Sequence, residues 1–347
     1  MENRIGAVVE PFRAEVTTRE LRPMGADEAV VAVKASAICG SDLHIYKGKH
    51  PSVSLPATIG HEFAGDIVQV GAESHGFKEG DRVTLEPAIT CGTCAACRRG
   101  DYGYCENISF SYRVGDGAMA DYIVAKTARL YRLPEGMSYE AGALVEPLAV
   151  AIHAVRRAEV RLGDRVAVFG AGAIGIFIAA VCRACGASFT VVTDLSPRRL
   201  KAAVAFGATY ALNPAAENVM AVLSDLSPGG MDKTFECVGR GETFSSAMSA
   251  LKKNGLMTQV GIFEHPEITI NASRFVTHEI TIRGAQGYCW DFDAALELAA
   301  QLDVERLVTH RFPLSRLQEA LDTVLDTESG AIKVLVCPQV EEDWGEK

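Results

Sequence analysis

The sequence predicts an α/β chain of two units, one β-rich and one a doubly wound parallel sheet, and three observations carry that expectation. Its 347 residues exceed what one small core fills. Short β-rich runs separated by Gly and Pro occupy the N-terminal part. Beyond Arg156, apolar strand-like runs alternate with alanine-rich helical stretches, the pattern of βαβ units.

Taken in order, "EAVVAVK" from Glu28, "EFAGDIVQV" from Glu62 and "GDRVTLEP" from Gly80 read as strands of the first unit. "RVAVFG", "FTVVTD", "KTFECVG", "LMTQVG" and "EITIRGA" read as strands of the parallel sheet. After about Gly287 the pattern turns helical in "DAALELAAQL" and "LQEALDTVL", then closes on a strand in "AIKVLVCP". Because the parallel sheet is already filled, this tail is assigned to the first unit. The expected division is 1–150 with 288–347 for the first unit, including a cysteine lobe at about 88–107, and 151–287 for the second.

Composition narrows the class. Hydrophobic residues at 48% and charged ones at 22% describe an ordinary folding chain. A net charge of -10 argues against nucleic acid or anionic membrane and leaves small molecules as partners. The N-terminal "MENRIGAVVEPFRAEV" is charged throughout and lacks a signal-peptide core, so a cytoplasmic location is expected. The longest uncharged run, Val166 to Cys182, approaches membrane-span length but is interrupted by Gly170, Gly172 and Gly175. Ten cysteines in a reducing compartment are metal ligands first where they cluster.

"VAVFGAGAIG" sets Gly170, Gly172 and Gly175 in G-x-G-x-x-G spacing between a strand and a helix. The first glycine allows the tight turn, the second lets a pyrophosphate approach the backbone, and the third permits close helix packing. N–H groups of the helix start, at Ala173, Ile174 and Gly175, then face the anion. Asp194, at the end of the next strand, is spaced to bond the adenosine ribose of NAD and to repel the extra phosphate of NADP. Arg198 and Arg199 follow closely and weaken that preference. A plain glycine turn in an α/β fold is the bland alternative.

"CGTCAACRRGDYGYC" places Cys91, Cys94, Cys97 and Cys105 within fifteen residues, a four-thiolate set that suits a closed structural zinc. An iron-sulfur cluster is the main rival. Separately, Cys39 in "ICGSDLH" and His61 in "IGHEFAG" supply two residue types of an open catalytic zinc site. The third ligand is Glu62 or Glu146. Glu146 stands as the lone charge in "GALVEPLAVAIH", where a buried carboxylate without a partner costs several kcal/mol. His153, in the same run, reads as a packing residue.

Together, "GHEFAGDIVQVG", the four-cysteine lobe, "ALVEPLAVAIHAV", "VFGAGAIG", "VVTDLSPRRL" and "VTHRFPL" resemble the zinc-dependent medium-chain alcohol dehydrogenases, in their sorbitol, butanediol and threonine dehydrogenase branch. The resemblance covers nearly the whole chain. It implies a GroES-like catalytic domain with a Rossmann domain inserted before its C-terminal segment, two zinc ions per chain, a nicotinamide cofactor that Asp194 marks as NAD rather than NADP, and a homo-oligomer, tetramer or dimer. It also implies hydride transfer from a secondary alcohol, with Cys39 and His61 as fixed zinc ligands and Glu62 and Glu146 sharing the ligand and water-holding roles. Ser41 and His44 match the family's proton relay, and Asp42 is read as orienting a ligand. Val238, Val260, Gly261 and Ile262 complete the expected cofactor contacts. Tyr46 and Tyr288 are expected pocket walls, with Trp290 beside them. The branch's tyrosine after the relay histidine is Ile45 here, and its late Arg-Tyr pair is Gly287-Tyr288, which leaves sorbitol itself in doubt. A smaller diol, a hydroxy amino acid or a sugar acid is equally compatible. A quinone reductase would need neither zinc set, and a dinucleotide sensor without turnover would show a broken one.

Overall fold

The computed structural model describes residues 1–50 and 52–340. The chain forms two compact units, Met1–Glu146 with Phe292–Lys347, and Pro147–Asp291.

In the first unit a seven-stranded sheet runs Leu130–Arg132, Arg82–Leu85, Glu62–Val70, Glu28–Ala37, Lys333–Cys337 and Val308–Pro313, with Tyr122–Lys126 also pairing with Glu28–Ala37. The strand Glu28–Ala37 is almost continuously apolar and buried, as a central strand covered on both faces must be. Its last residue, Ala37, pairs with Glu62 on one side and Leu335 on the other. Both neighbours run antiparallel to it. The end of one strand and the starts of two others therefore meet at one edge of the sheet. The short helix Gly40–Tyr46 follows directly, with Cys39 as its N-cap. Tyr46 is wholly buried among Val8, Ile45, Met119 and Leu317.

The second unit holds a six-stranded parallel sheet in the order Tyr210–Leu212, Phe189–Thr193, Arg165–Phe169, Met231–Glu236, Leu251–Gln259, Thr281–Gly284. Strand order reverses between Arg165–Phe169 and Met231–Glu236, which opens a crevice at their carboxyl ends, the ligand position of doubly wound sheets. Five of these strands are legible as apolar runs. The sixth, Tyr210–Leu212, has three residues and a half-exposed tyrosine, too little for any periodicity to register. The helix Ala173–Ala184 is apolar nearly all round because its residues are buried nearly all round. No helix among the described residues is long and apolar enough to cross a membrane.

Arg22 ties the segment before the central strand to its neighbours. It donates to Asp116 at 2.8 Å and to both oxygens of Glu28, while the Gly25 N–H also donates to Glu28 at 2.8 Å. These bonds, Arg22 foremost, hold the Glu28 carboxyl down at about 2, against an ordinary 4.5. A carboxylate with a depressed folded-state pKa contributes stability above its unfolded value and loses it as pH falls toward the folded one. Glu28→Gln should therefore cost about 1–2 kcal/mol at neutral pH, measured by urea denaturation. The difference from wild type should shrink as pH is lowered from 4.5 toward 2.

Candidate functional site

Cys39 leaves the central strand two residues after Ala37, while His61 and Glu62 open the neighbouring strand paired to that same residue. Register alone thus gathers three residues, and one ligand atom of each lies within 4.8 Å of the others. Asp42, without solvent exposure, fastens the two segments together. Its carboxylate accepts from the Cys39 N–H at 2.9 Å and from the Gly60 N–H at 3.0 Å. Gly60 has φ +93, and a Cβ there would meet the Met119 backbone nitrogen at 2.7 Å, so the turn that delivers His61 needs glycine.

The cluster is electron-rich. Burial alone would pull His61 down, but Cys39, Asp42 and Glu146 outweigh it and push the imidazole well above its ordinary value. His61 Nδ1 and Glu62 Oε1 are buried atoms with no hydrogen-bond partner. Two orphaned polar atoms beside a cysteine, in a field that favours positive charge, form a donor set that fits a zinc ion. Glu146 is buried in the first turn of the helix Val145–Ala158 and stands outside the mutually close set of Cys39, His61 and Glu62.

Lys333 is the residue that sequence reasoning misses. It opens the third converging strand, is 5% exposed, and forms an ion pair with Glu62 Oε2 while donating to the Ile38 carbonyl at 3.3 Å. Burial would lower its pKa, yet Glu62, Cys39 and Glu146 keep it above the ordinary lysine value. No local signal marks it, since 271 residues separate it from Glu62.

Ser41 and His44 are half-buried on the helix Gly40–Tyr46, three positions apart and so on one face. Tyr46 corrects the expectation of a pocket wall. Its ring is wholly buried, and its hydroxyl donates to Asp322 at 2.6 Å and lies 3.0 Å from the Phe12 carbonyl. Tyr112, unremarked in the sequence, instead lies against the site, its ring 5.2 Å from that of His61.

The cysteine lobe has the dimensions of a closed metal site. Cys91 Sγ lies 3.5 Å from Cys105 Sγ and 4.0 Å from Cys97 Sγ. Tetrahedral ligands at about 2.3 Å from zinc stand ~3.8 Å apart, whereas a disulfide needs about 2 Å. Backbone N–H groups of Thr93 and Cys94 pull the Cys91 thiol down to about 5, while burial and the thiols of Cys94 and Cys105 push Cys97 up to about 12. Four thiolates cannot all ionise side by side without a cation between them.

In the second unit Gly170 has φ +106, and a Cβ on Gly175 would lie 1.9 Å from the Gly170 carbonyl. A Cβ on Gly172 would meet nothing within 4 Å, which leaves room for a ligand against the backbone. As N-cap, Gly172 offers no side-chain acceptor to the first-turn N–H groups of Ala173, Ile174 and Gly175, an anion-binding arrangement. Asp194 accepts from the Ala171 N–H at 2.8 Å and the Ser196 N–H at 2.9 Å, tying its carboxylate to that loop. Arg199 lies in the first turn of the helix Pro197–Ala205. Val238 and Ile262 are 42% and 59% exposed, large apolar side chains left open just past two strand ends.

A second residue that sequence reasoning misses, Glu236, organises that edge. Fully buried, it accepts from the Val238 and Gly239 N–H groups at 2.9 Å and from Thr243 at 2.7 Å. A Cβ on Gly261, which follows Val260, would press on Glu236 Oε2 at 2.7 Å. Tyr288 is buried and Trp290 is 63% exposed. His153 does more than pack, since its Nδ1 lies 3.0 Å from buried Asp291, which also pairs with Arg156.

Comparison with known proteins identifies the family of both parts of the chain. The family model for the alcohol dehydrogenase GroES-like domain matches residues 25–135, and that for zinc-binding dehydrogenase matches residues 173–302. The sorbitol dehydrogenase of Bacillus subtilis (strain 168) is 34% identical over 348 residues, covering 97% of this chain and 98% of its own. Among solved structures, 2R,3R-butanediol dehydrogenase from Bacillus subtilis superposes with a TM-score of 0.88 at 31% identity, covering 97% of this chain and 100% of that one. A structure from Sinorhizobium meliloti 1021, described as a zinc-binding dehydrogenase bound to NADP, gives 0.90 at 27% identity over 97% and 100%.

The ion pair makes a direct prediction. Lys333→Met strands the Glu62 charge in a buried site, and removal of one partner of a buried pair costs about 3–5 kcal/mol. Urea denaturation should show a loss of that size.

Proposed function

The chain belongs to the zinc-dependent medium-chain alcohol dehydrogenase family, and on that premise we propose that it transfers a hydride between a secondary alcohol and NAD, giving the ketone. The observation that carries this reading is the buried cluster of Cys39, His61 and Glu62 beside Ser41 and His44. When bound, zinc supplies a Lewis acid that makes an alcohol hydroxyl acidic, and nicotinamide supplies the hydride acceptor.

The chain's own residues do the rest. Cys39, His61 and Glu62 hold the catalytic ion. Glu62 is assigned the direct role because Oε2 is engaged by Lys333 while Oε1 has no partner. Glu146 is assigned to hydrogen-bonding the alcohol. Ser41 takes the hydroxyl proton and His44, on the same helix face, passes it on. Cys91, Cys94, Cys97 and Cys105 hold a structural zinc. Gly170, Gly172, Ala173, Ile174 and Gly175 receive the pyrophosphate, and Asp194 the adenosine ribose. Val238, Val260, Gly261 and Ile262 flank the nicotinamide half. A carboxylate held at Asp194 disfavours the added phosphate of NADP, although Arg199 is near in sequence. The cellular reading is a cytoplasmic homo-oligomer, tetramer or dimer, without nucleic acid or membrane partners; light scattering on the purified protein tests the assembly.

Cys39→Ala should abolish NAD reduction while leaving NADH binding, read by fluorescence, unchanged; full turnover would contradict the zinc mechanism. Asp194→Ser should raise the NADP to NAD ratio of kcat/KM by about tenfold or more, in line with the loss of one charged hydrogen bond. An unchanged ratio would count against the ribose assignment. Glu62→Gln should weaken zinc affinity more than Glu146→Gln, measured by competition with a chelator, and the reverse order would exchange their roles.

A further inference from the structure

Arg113 sits in the single turn Ser111–Val114 and is half-buried. On a chain with 44 acidic and 34 basic residues, several half-buried arginines, Arg4, Arg129, Arg165 and Arg311 among them, each pair with a carboxylate. Arg113 pairs with none among the described residues, and its Nε is buried without a hydrogen-bond partner. Its guanidinium lies over the rings of Phe110 and Tyr112, 5.4 and 5.9 Å from their centroids. Those two rings stack 5.9 Å apart at 20°, a flat apolar platform that fixes the cation's position. Tyr112 also packs against His61, at 5.2 Å between rings. The cation is thus one aromatic side chain removed from the proposed zinc ligands.

On the far side of Tyr112 lies half-buried His50, its ring 6.4 Å away, pushed down to about 4 chiefly by burial and then by the charge of Arg113. A half-buried guanidinium without a carboxylate partner among the described residues fits an anion supplied from outside, since it presents a planar fork matched to carboxylate and phosphate oxygens.

Resting on the dehydrogenase reading above, we propose that Arg113 binds an anionic group on the alcohol substrate, so that the substrate class is a hydroxy acid or a polyol phosphate rather than a neutral polyol. The reacting hydroxyl goes to the Cys39, His61 and Glu62 side and the anion to Arg113. Chemistry at the carbinol carbon is unchanged by this assignment. What changes is which alcohol is held there.

The test is calorimetric titration of the zinc-loaded enzyme with NADH present, using matched sets of four- to six-carbon aldonates, alditols and alditol phosphates. At least one aldonate or phosphate should bind tenfold or more tightly than its alditol, and which of the two does so identifies the anion. Arg113→Gln should erase that difference while leaving alditol binding and NADH affinity unchanged. Arg113→Lys should restore part of it. Alditols binding as tightly as their anionic partners, or Arg113→Gln weakening every probe equally, would overturn the proposal. Anion-selective binding without NAD reduction would contradict the dehydrogenase reading alone and leave the Arg113 assignment standing.

Discussion

Cys39, Asp42, Glu62 and Glu146 bring four acidic groups into one corner of the first unit, where His61 and Lys333 provide the positive charge. Like charges buried together repel strongly where the dielectric is low, so such a corner persists only if each group is answered. Asp42 is answered by two backbone N–H groups and Glu62 Oε2 by Lys333. Cys39, His61 and Glu62 also bring one ligand atom each within 4.8 Å of the others, and on the proposed reading a divalent cation answers all three. The strand register, the glycine turn before His61 and the placement of Lys333 can all be understood as consequences of that demand.

The second unit solves a complementary problem. Its sheet ends in backbone N–H groups and exposed apolar side chains, Val238 and Ile262 among them, arranged at the switch point. Asp194 and Glu236 are both held by backbone N–H donors, but they serve different ends. Asp194 is half-exposed at the glycine loop, while Glu236 is wholly buried and shapes the loop that carries Val238. One carboxylate faces outward and the other holds the frame.

Legibility in the sequence followed chain distance. The four cysteines and the glycine loop were readable because their ligands or turns lie within a few residues, and both domain types followed from local pattern. Lys333 was not readable, because a buried lysine declares itself only through a partner 271 residues away. Glu236 looked like one polar residue closing an apolar strand. Tyr46 misled for a geometric reason. Two residues beyond His44 on a helix is about 200° around the axis, so proximity in sequence put it on the opposite face, toward Asp322. Arg113 belongs to no motif, and that no carboxylate among the described residues pairs with it emerges only from the fold.

X-ray absorption at the zinc edge of the purified, zinc-loaded protein tests the central claim, that the corner around Cys39 holds a metal separate from the cysteine lobe. The account predicts two environments, one of four sulfurs and one of a single sulfur with nitrogen and oxygen, and Cys39→Ala should remove only the second. A single four-sulfur environment in the wild-type protein, unchanged by that substitution, would contradict it.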